Sequence, residues 1–331
     1  MRVVLLGGGH AHAAALRELR GDDLTLVTPF PHHTYSGMVP GFIAGHYRLD
    51  EIRIDLARLA ARAGAKLVLG RVVALDLARR MVRLEVGGEL PYDRVSLNLG
   101  SESGAPGYAL PAKPFEDFLE RWLEAKDRVK SVAVVGAGAA GVELSMAVAH
   151  RAGARVVLYS DRPALAPRIG RALRRNDVEL RAGVAFAEGM RSEFDLVVWT
   201  AGAVALPWLR ESGLATDERG FVLVDDKLRS ISHPEVFAAG DCATLRDAPH
   251  PKSGVFAVRH GEVLAQNLSG GTLRSYMPQR RALALVSCGA RYAIADWGGW
   301  SVEGAWVWRW KDRIDRRWVE SFGPGTTLSG T

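Results

Sequence analysis

Two stretches of this chain carry residue types suited to gripping dinucleotides. The first is Val3-Val4-Leu5-Leu6-Gly7-Gly8-Gly9-His10-Ala11-His12, and the second is Val132-Ala133-Val134-Val135-Gly136-Ala137-Gly138-Ala139-Ala140-Gly141-Val142-Glu143. In each, an apolar strand runs into a glycine turn and then into a helix-forming sequence. Glycines at such a turn let the backbone approach a pyrophosphate with no Cβ in the way. The helix that follows turns its unpaired N–H groups and the positive end of its dipole toward the phosphates. Gly136, Gly138 and Gly141 fill all three positions of the G-x-G-x-x-G spacing, and Ala139 opens the helix. Gly7 and Gly9 fill the first two, but His12 stands at the third, where helix and strand must pack closely, so its imidazole has to tuck aside. A glycine turn that binds nothing is the competing reading of each stretch. The strand–turn–helix setting of both favours two dinucleotides held face to face.

The rest of the chain is consistent with two such domains. Its 331 residues are enough for two cores and a small appendage, and its 36 glycines exceed the usual share of about 7%. The two cysteines, Cys242 and Cys288, form no C-x-x-C, and no secretory signal opens the chain, which points to a reducing cytoplasm. No run of about 18 uncharged apolar residues exists, so the expectation is a protein that does not span a membrane. The net charge of +6 is mostly arginine, which suits anionic dinucleotides or anionic lipid headgroups. The arginines are scattered rather than clustered with stacking aromatics, which argues against nucleic acid as a partner.

Periodicity predicts strands at 2–6 and 24–28 around a helix at 10–20, then a helix at 54–63 and a strand at 66–69. A meander of strands at 71–76, 80–85 and 93–98 follows. Segment 29–47 is too irregular for a strand and too apolar for a solvent loop, and reads as a cofactor lining. A helix at 115–126 leads to a strand at 131–135, a helix at 139–152 and a strand at 155–159. The strand at 195–202 ends in a glycine turn at Gly202 and echoes the 93–101 segment, as if one nucleotide-binding plan were present twice. A helix runs from 252 to about 268, two strands occupy 282–296, and the tail from 297 holds six of the nine tryptophans.

The paired loops, Asn98-Leu99-Gly100-Ser101 and Phe237-Ala238-Ala239-Gly240-Asp241 resemble the two-dinucleotide flavoprotein superfamily, which has the pyridine nucleotide-disulfide oxidoreductase fold. Gly7-Gly8-Gly9-His10-Ala11-His12, Tyr35-Ser36-Gly37-Met38-Val39-Pro40-Gly41 and Trp308-Arg309-Trp310-Lys311-Asp312-Arg313-Ile314-Asp315-Arg316-Arg317 are similar to one branch of it. That branch is NADH-dehydrogenase-like, is related to type-2 NADH dehydrogenases, and is found alone or fused to selenide, water dikinase. The resemblance covers the whole chain and implies an α/β fold of two Rossmann-like domains, the second inserted in the first. Residues 1–109 and 227–270 would bind FAD, 110–226 would bind NADH or NADPH, and 271–331 would form a C-terminal cap. The insertion follows because Asp241 must return to the cofactor of the first loop.

Carried over residue by residue, the resemblance puts Gly7, Gly9 and His10 at the FAD pyrophosphate and Asp241, after Gly240, at the ribityl or phosphate region. Gly254, Val255 and Phe256 would offer a helix N-terminus to the flavin pyrimidine edge. Gly37, Met38, Val73, Asn98, Gly100 and Ser101 complete the expected flavin lining. Thr28, followed by Pro29, stands where an acid normally takes the adenosine ribose, and a threonine makes one hydrogen bond where a carboxylate makes two. At the second loop, Ser160 replaces the acid of an NADH site while Arg162 and Arg168 follow, a pattern that favours a 2′-phosphate. Asp161 argues the other way. Glu143 is either a catalytic group near the nicotinamide–flavin stack or a solvated carboxylate in a helix's first turn. Lys113 is either a group that approaches flavin N5 or a solvated linker lysine.

His10, His12, His32, His33 and His46 crowd the first 46 residues, but no cysteine or acid cluster joins them, so no metal site is expected. The branch implies an FAD-dependent NAD(P)H dehydrogenase with a quinone-like acceptor. A sulfide:quinone reductase is the enzymatic rival, and a flavin-bearing redox sensor or partner in selenium metabolism is the non-enzymatic one. A C-x4-C near the flavin is missing from the first 100 residues, which excludes the thiol–disulfide relay of glutathione reductase. In the tail, a helix at 306–322 would gather Trp306, Trp310, Ile314, Trp318 and Phe322 on one face. That face would either lie at a membrane interface, at the inner face of the cell membrane, or dock on the protein itself or on a dimer mate.

Overall fold

Val3–Leu6 and Ser131–Val135 are buried nearly throughout, and each forms the central strand of a separate parallel sheet. A strand covered on both faces has no solvent side to mark with polar residues, so it reads as a continuous apolar run. The computed structural model describes residues 1–21, 23–279 and 281–323. The chain divides into two compact units. One comprises residues 1–33, 53–101 and 204–280, and the other 34–52, 102–203 and 281 onward.

In the first unit the sheet order is Val236–Ala238, Arg94–Leu97, Val3–Leu6, Leu24–Thr28, Lys66–Leu69. Neighbours pair in parallel, with Leu6 beside Val27 on one side and beside Leu97 on the other. Helix His10–Leu16 packs against helix Gly254–Leu268, and a side chain at Gly261 would overlap Ala14. An antiparallel meander, Val72–Asp76, Met81–Leu84 and Glu89–Pro91, lies beside this core. The third meander strand is therefore not 93–98 as the sequence predicts. Arg94–Leu97 is wanted in the parallel sheet, where Val95, Ser96 and Leu97 are fully buried.

The second unit repeats the plan. Its sheet order is Leu110–Pro111, Leu196–Trp199, Ser131–Val135, Arg155–Ser160, Val178–Ala182. The glycine-loop strand is again third, and the strand ending in the echoed glycine turn is again its neighbour. Three antiparallel strands, Ala284–Ser287, Ala293–Trp297 and Trp300–Gly304, precede the helix Ala305–Glu320. Sequence periodicity missed the third of these strands.

The unit boundaries depart from the expected domains. Residues 204–226 lie with the first unit, while 34–52 and the C-terminal segment lie with the second. The reason is a shared apolar core in which Met38, Val39, Ile43, Tyr47 and Ile52 pack with Val142, Met146, Ile294, Val307 and Trp308. Segment 29–47 is also more regular than expected. It holds strand His32–Thr34, a tight turn at Ser36–Met38 and the short helix Val39–Ile43. The expected cap includes position 280 and residues 324–331, which lie outside the described residues.

Candidate dinucleotide sites

In the first unit, Asn98 ties the expected flavin elements together. Its side-chain oxygen accepts hydrogen bonds from the amides of Ala11 at 3.0 Å and His12 at 3.2 Å. Its side-chain nitrogen donates to the carbonyl of Ala239 at 2.9 Å. One side chain thus joins the Gly7 loop to the Gly240–Asp241 turn. It also changes the expected chemistry, because two first-turn amides of helix His10–Leu16 are already satisfied from within the protein. Gly7 adopts φ of +90°, and a Cβ there would overlap the Asn98 carbonyl oxygen.

His12 solves the packing problem posed by its position. The ring is fully buried, with Nδ1 2.6 Å from the Gly7 carbonyl and Nε2 2.8 Å from the Ser96 hydroxyl. A carbonyl only accepts, so Nδ1 carries the proton and Nε2 accepts from Ser96. Burial pushes this imidazole down to about 4, only partly opposed by its bond to Gly7. His12 therefore works as a neutral wedge in the place of the third glycine.

The remaining expected residues of this unit are spread around the loop. His10 meets His33 edge to face, with ring centroids 4.4 Å apart. The Thr28 hydroxyl is spent on its own turn, donating to the Phe30 carbonyl at 3.2 Å, and Pro29 follows it there. Gly100 takes φ of +73° after the Arg94–Leu97 strand, and Ser101 is buried beyond it. Gly240 donates its amide to Nδ1 of the buried His260 at 3.1 Å, and Asp241 follows in the same turn, partly exposed. Val73 sits where the meander's register slips by one residue, half-buried. At the start of helix Gly254–Leu268, Ser253 makes no side-chain cap. The Phe256 amide turns back to the Ser253 carbonyl at 3.2 Å, whereas those of Gly254 and Val255 have no partner among the described hydrogen bonds. The Phe256 ring stacks on His250 at 4.3 Å.

In the second unit the glycine loop is open. Gly138 precedes helix Ala139–Ala152 without a side-chain cap, and the amides of Ala139, Ala140 and Gly141 take no partner among the described hydrogen bonds. Gly136 has φ of +105°, and a Cβ on Gly141 would overlap the Gly136 carbonyl oxygen. At the neighbouring strand end, the buried Ser160 hydroxyl accepts from the Arg162 amide at 3.1 Å, while Asp161 and Arg162 point to solvent. Arg168 has Nη1 enclosed without a hydrogen-bond partner. Gly202, at φ of +67°, ends the turn after Leu196–Trp199. Lys113 is half-buried between strand Leu110–Pro111 and helix Phe115–Ala125.

Glu143 is not the solvated carboxylate of the alternative reading. It retains some surface, yet its carboxylate is enclosed and accepts from the Ser287 amide at 2.7 Å. Burial raises its pKa, while Lys311 and the Ser287 amide oppose the rise. Lys311 is itself buried and donates to the Asp315 carboxylate at 2.5 Å and to the Gly37 carbonyl at 2.6 Å. The Tyr35 hydroxyl donates to the other Asp315 oxygen at 3.1 Å. Sequence reasoning missed Lys311, Asp315, Tyr35 and Ser287 as a group, although the i, i+4 pair Lys311 and Asp315 stood inside a motif already singled out. Of the helix stripe whose surroundings the sequence left open, Trp318 is half-buried and Phe322 buried. Val307, Trp308, Lys311 and Asp315 point inward, while Trp306, Trp310 and Ile314 are 52%, 41% and 41% exposed.

No group of three or more potential metal ligands occurs among the described residues, and no described helix is long and apolar enough to cross a membrane. Residues 1–261 match the family model described as pyridine nucleotide-disulphide oxidoreductase. The chain is 31% identical over 319 residues to an NADH dehydrogenase-like protein of Mycobacterium tuberculosis, a match covering 80% of this chain and 78% of the relative. It is 28% identical over 322 residues to an alternative NAD(P)H-ubiquinone oxidoreductase of Arabidopsis thaliana, covering 75% of this chain and 62% of the plant protein. Among solved structures, the sulfide:quinone oxidoreductase of Aquifex aeolicus shares the fold with a TM-score of 0.77 at 14% identity, covering 97% of this chain and 91% of that one. Two sheets of one plan, each with a glycine loop on its third strand, agree with these matches. The chain belongs to the pyridine nucleotide-disulphide oxidoreductase family, in its NADH dehydrogenase-like branch of NAD(P)H-dependent flavoproteins.

Proposed function

We propose that the chain holds FAD on the first glycine loop and NAD(P)H on the second, and that it delivers the electrons of the nicotinamide to a quinone. FAD, when bound, would supply the hydride-accepting and electron-transfer chemistry, so the protein's part is binding, orientation and proton supply. The first unit fits FAD through the Asn98 hub, Asp241, and the uncapped amides of Gly254 and Val255, which favour negative charge at a flavin edge. The open amides of Ala139, Ala140 and Gly141 suit the donor's pyrophosphate.

The observation that carries the reading is the enclosed Glu143 with its Lys311–Asp315 neighbours, on the helix that opens the second loop. A carboxyl with a raised pKa keeps a proton where an exposed glutamate has lost it, and quinone reduction consumes protons. The names of the Arabidopsis relative and the Aquifex neighbour both include a quinone acceptor. The sulfide rival needs a reactive cysteine pair. Cys242 is buried with its thiol on the Ala239 carbonyl, and burial pushes the Cys288 thiol up to about 12, which supports neither as a thiolate.

Anaerobic stopped-flow mixing tests both halves. The bound flavin should bleach with NADPH at least as readily as with NADH, and a menaquinone or ubiquinone analogue should restore its colour. Arg162→Ala and Arg168→Ala should each weaken NADPH about tenfold with little effect on NADH. Recovery with oxygen alone, and no response to either quinone, would favour the redox-sensor reading instead.

The tail supports peripheral contact with lipid. Exposed Trp306, Trp310 and Ile314 share a helix with exposed Arg309, Arg313 and Arg317, the composition of an interfacial anchor on anionic headgroups. The full chain should sediment with anionic vesicles at low salt, and Trp306→Ser with Trp310→Ser should release it. Equal sedimentation of that variant would leave the face to a dimer mate.

A further inference from the structure

We propose that His10 and His33 form an imidazole pair that grips the diphosphate bridge of the flavin dinucleotide and takes up a proton from solvent on doing so. The pair's role rests on the reading of the first loop as the flavin site. A diphosphate brings negative charge to a helix start whose amides would ordinarily meet it. Here Ala11 and His12 have already given their amides to Asn98, and both ring nitrogens of His12 are bonded within the protein. The loop therefore offers fewer backbone donors than its sequence spacing promises. The two imidazoles supply what is missing. Their rings meet at 4.4 Å and 81°, and His33 Nε2 is enclosed with no hydrogen-bond partner. An enclosed ring nitrogen left unpaired marks an unmet hydrogen bond.

The surrounding charges leave room for a proton. His10 comes from the loop's helix and His32 from the same strand as His33. Strand Arg53–Asp55 brings Arg53, whose Nε is also enclosed without a partner. It also brings Asp55, whose carboxylate caps the next helix by accepting from the Arg58 amide at 2.9 Å. Among the described residues no carboxylate acts on His33. Burial, and then the neighbouring His10, hold its imidazole well below the ordinary value. An arriving diphosphate supplies the missing countercharge, so the pKa of the pair rises on binding. Binding is then tightest at low pH and weakens as pH rises through the pKa of the bound pair.

The test follows flavin release by fluorescence after dilution of the holoprotein from pH 5.5 to 8.5, with calorimetry of rebinding in two buffers of different ionisation enthalpy. Wild-type protein should take up roughly 0.5–1 proton per flavin near neutral pH, with affinity falling about threefold to tenfold per pH unit between about pH 6 and 8. His33→Gln should flatten that slope and weaken binding severalfold. Flavin bound with no proton uptake overturns the proposal on the wild-type protein alone, whether or not the variant folds. An undiminished slope in a folded His33→Gln overturns it too. A chain that retains no flavin at any pH sinks the flavin reading itself, a failure distinct from the absence of uptake.

Discussion

Replacing Gly141 by valine will slow reduction of the bound flavin by NAD(P)H about a hundredfold or more while leaving the flavin in place. Even a single Cβ at this position overlaps the Gly136 carbonyl oxygen and crowds the Thr200 hydroxyl, so the helix must withdraw from its strand. The hydroxyl cannot step aside cheaply, because its single proton is shared between the carbonyls of Val135 at 2.9 Å and Gly136 at 2.8 Å. An ångström of helix displacement carries the Ala139–Gly141 amides away from the donor's phosphates. The reciprocal change, Gly9→Val, collides with the Asn98 side chain and should strip the flavin instead. Absorbance of the purified variants and single-turnover bleaching measure the two losses separately. If Gly141→Val loses flavin and Gly9→Val keeps it, the assignment of the two loops is reversed.

The second large effect is expected at Lys311. Replacement by methionine leaves the Asp315 carboxylate buried without its cation, which should cost about 3–5 kcal/mol of stability. Removing both charges, as Lys311→Met with Asp315→Leu, should recover most of that loss, since apolar side chains of similar volume commonly replace a buried pair without penalty. The Tyr35 hydroxyl and the Gly37 carbonyl lose partners in this variant, so recovery should fall short of complete by about 1–2 kcal/mol. Urea midpoints give the stability. Quinone turnover gives the other half of the result, and the refolded double variant should remain strongly impaired. A double variant that is both stable and fully active would make the pair structural and remove the proton role proposed for Glu143.

Much of this was legible from residue order, for reasons that differ by element. The two parallel sheets announce themselves because strands buried on both faces must be apolar throughout, and the turns after them must be glycine. Helix Ala139–Ala152 matched its sequence boundaries because Gly138 and Gly153 punctuate it at both ends. Strand Arg94–Leu97 was misplaced because Arg-Val-Ser-Leu alternates like a half-buried meander strand, although Ser96 is buried with its neighbours in the parallel sheet. Asn98 was legible as a strand-end residue but not as a cap, because which amides it reaches depends on a helix 86 residues earlier in the chain. Helix Ala305–Glu320 was legible as a stripe whose surroundings stayed open. Trp306, Trp310 and Ile314 of its four-residue stripe face outward while Trp318 and Phe322 turn in beside Tyr35, because segment 34–52 offers Tyr35 and the Gly37 carbonyl as hydrogen-bond partners for charged residues on the inner face. Periodicity records which residues share a face and is silent on which face meets polar neighbours.

The tryptophans of the C-terminal hairpin and helix give the chain an optical gauge of its own outer surface. Of nine tryptophans, Trp297, Trp300, Trp306 and Trp310 are 62%, 84%, 52% and 41% exposed, whereas Trp122 and Trp308 are enclosed. Emission from the outward indoles is open to iodide, while that of the enclosed ones is shielded by the protein. The quenchable fraction therefore reads, without any label, whether the face is wet or covered. Covering it with vesicles or with a second copy of the chain will blue-shift the emission and silence the quencher together, and adding chaotropic salt will restore both.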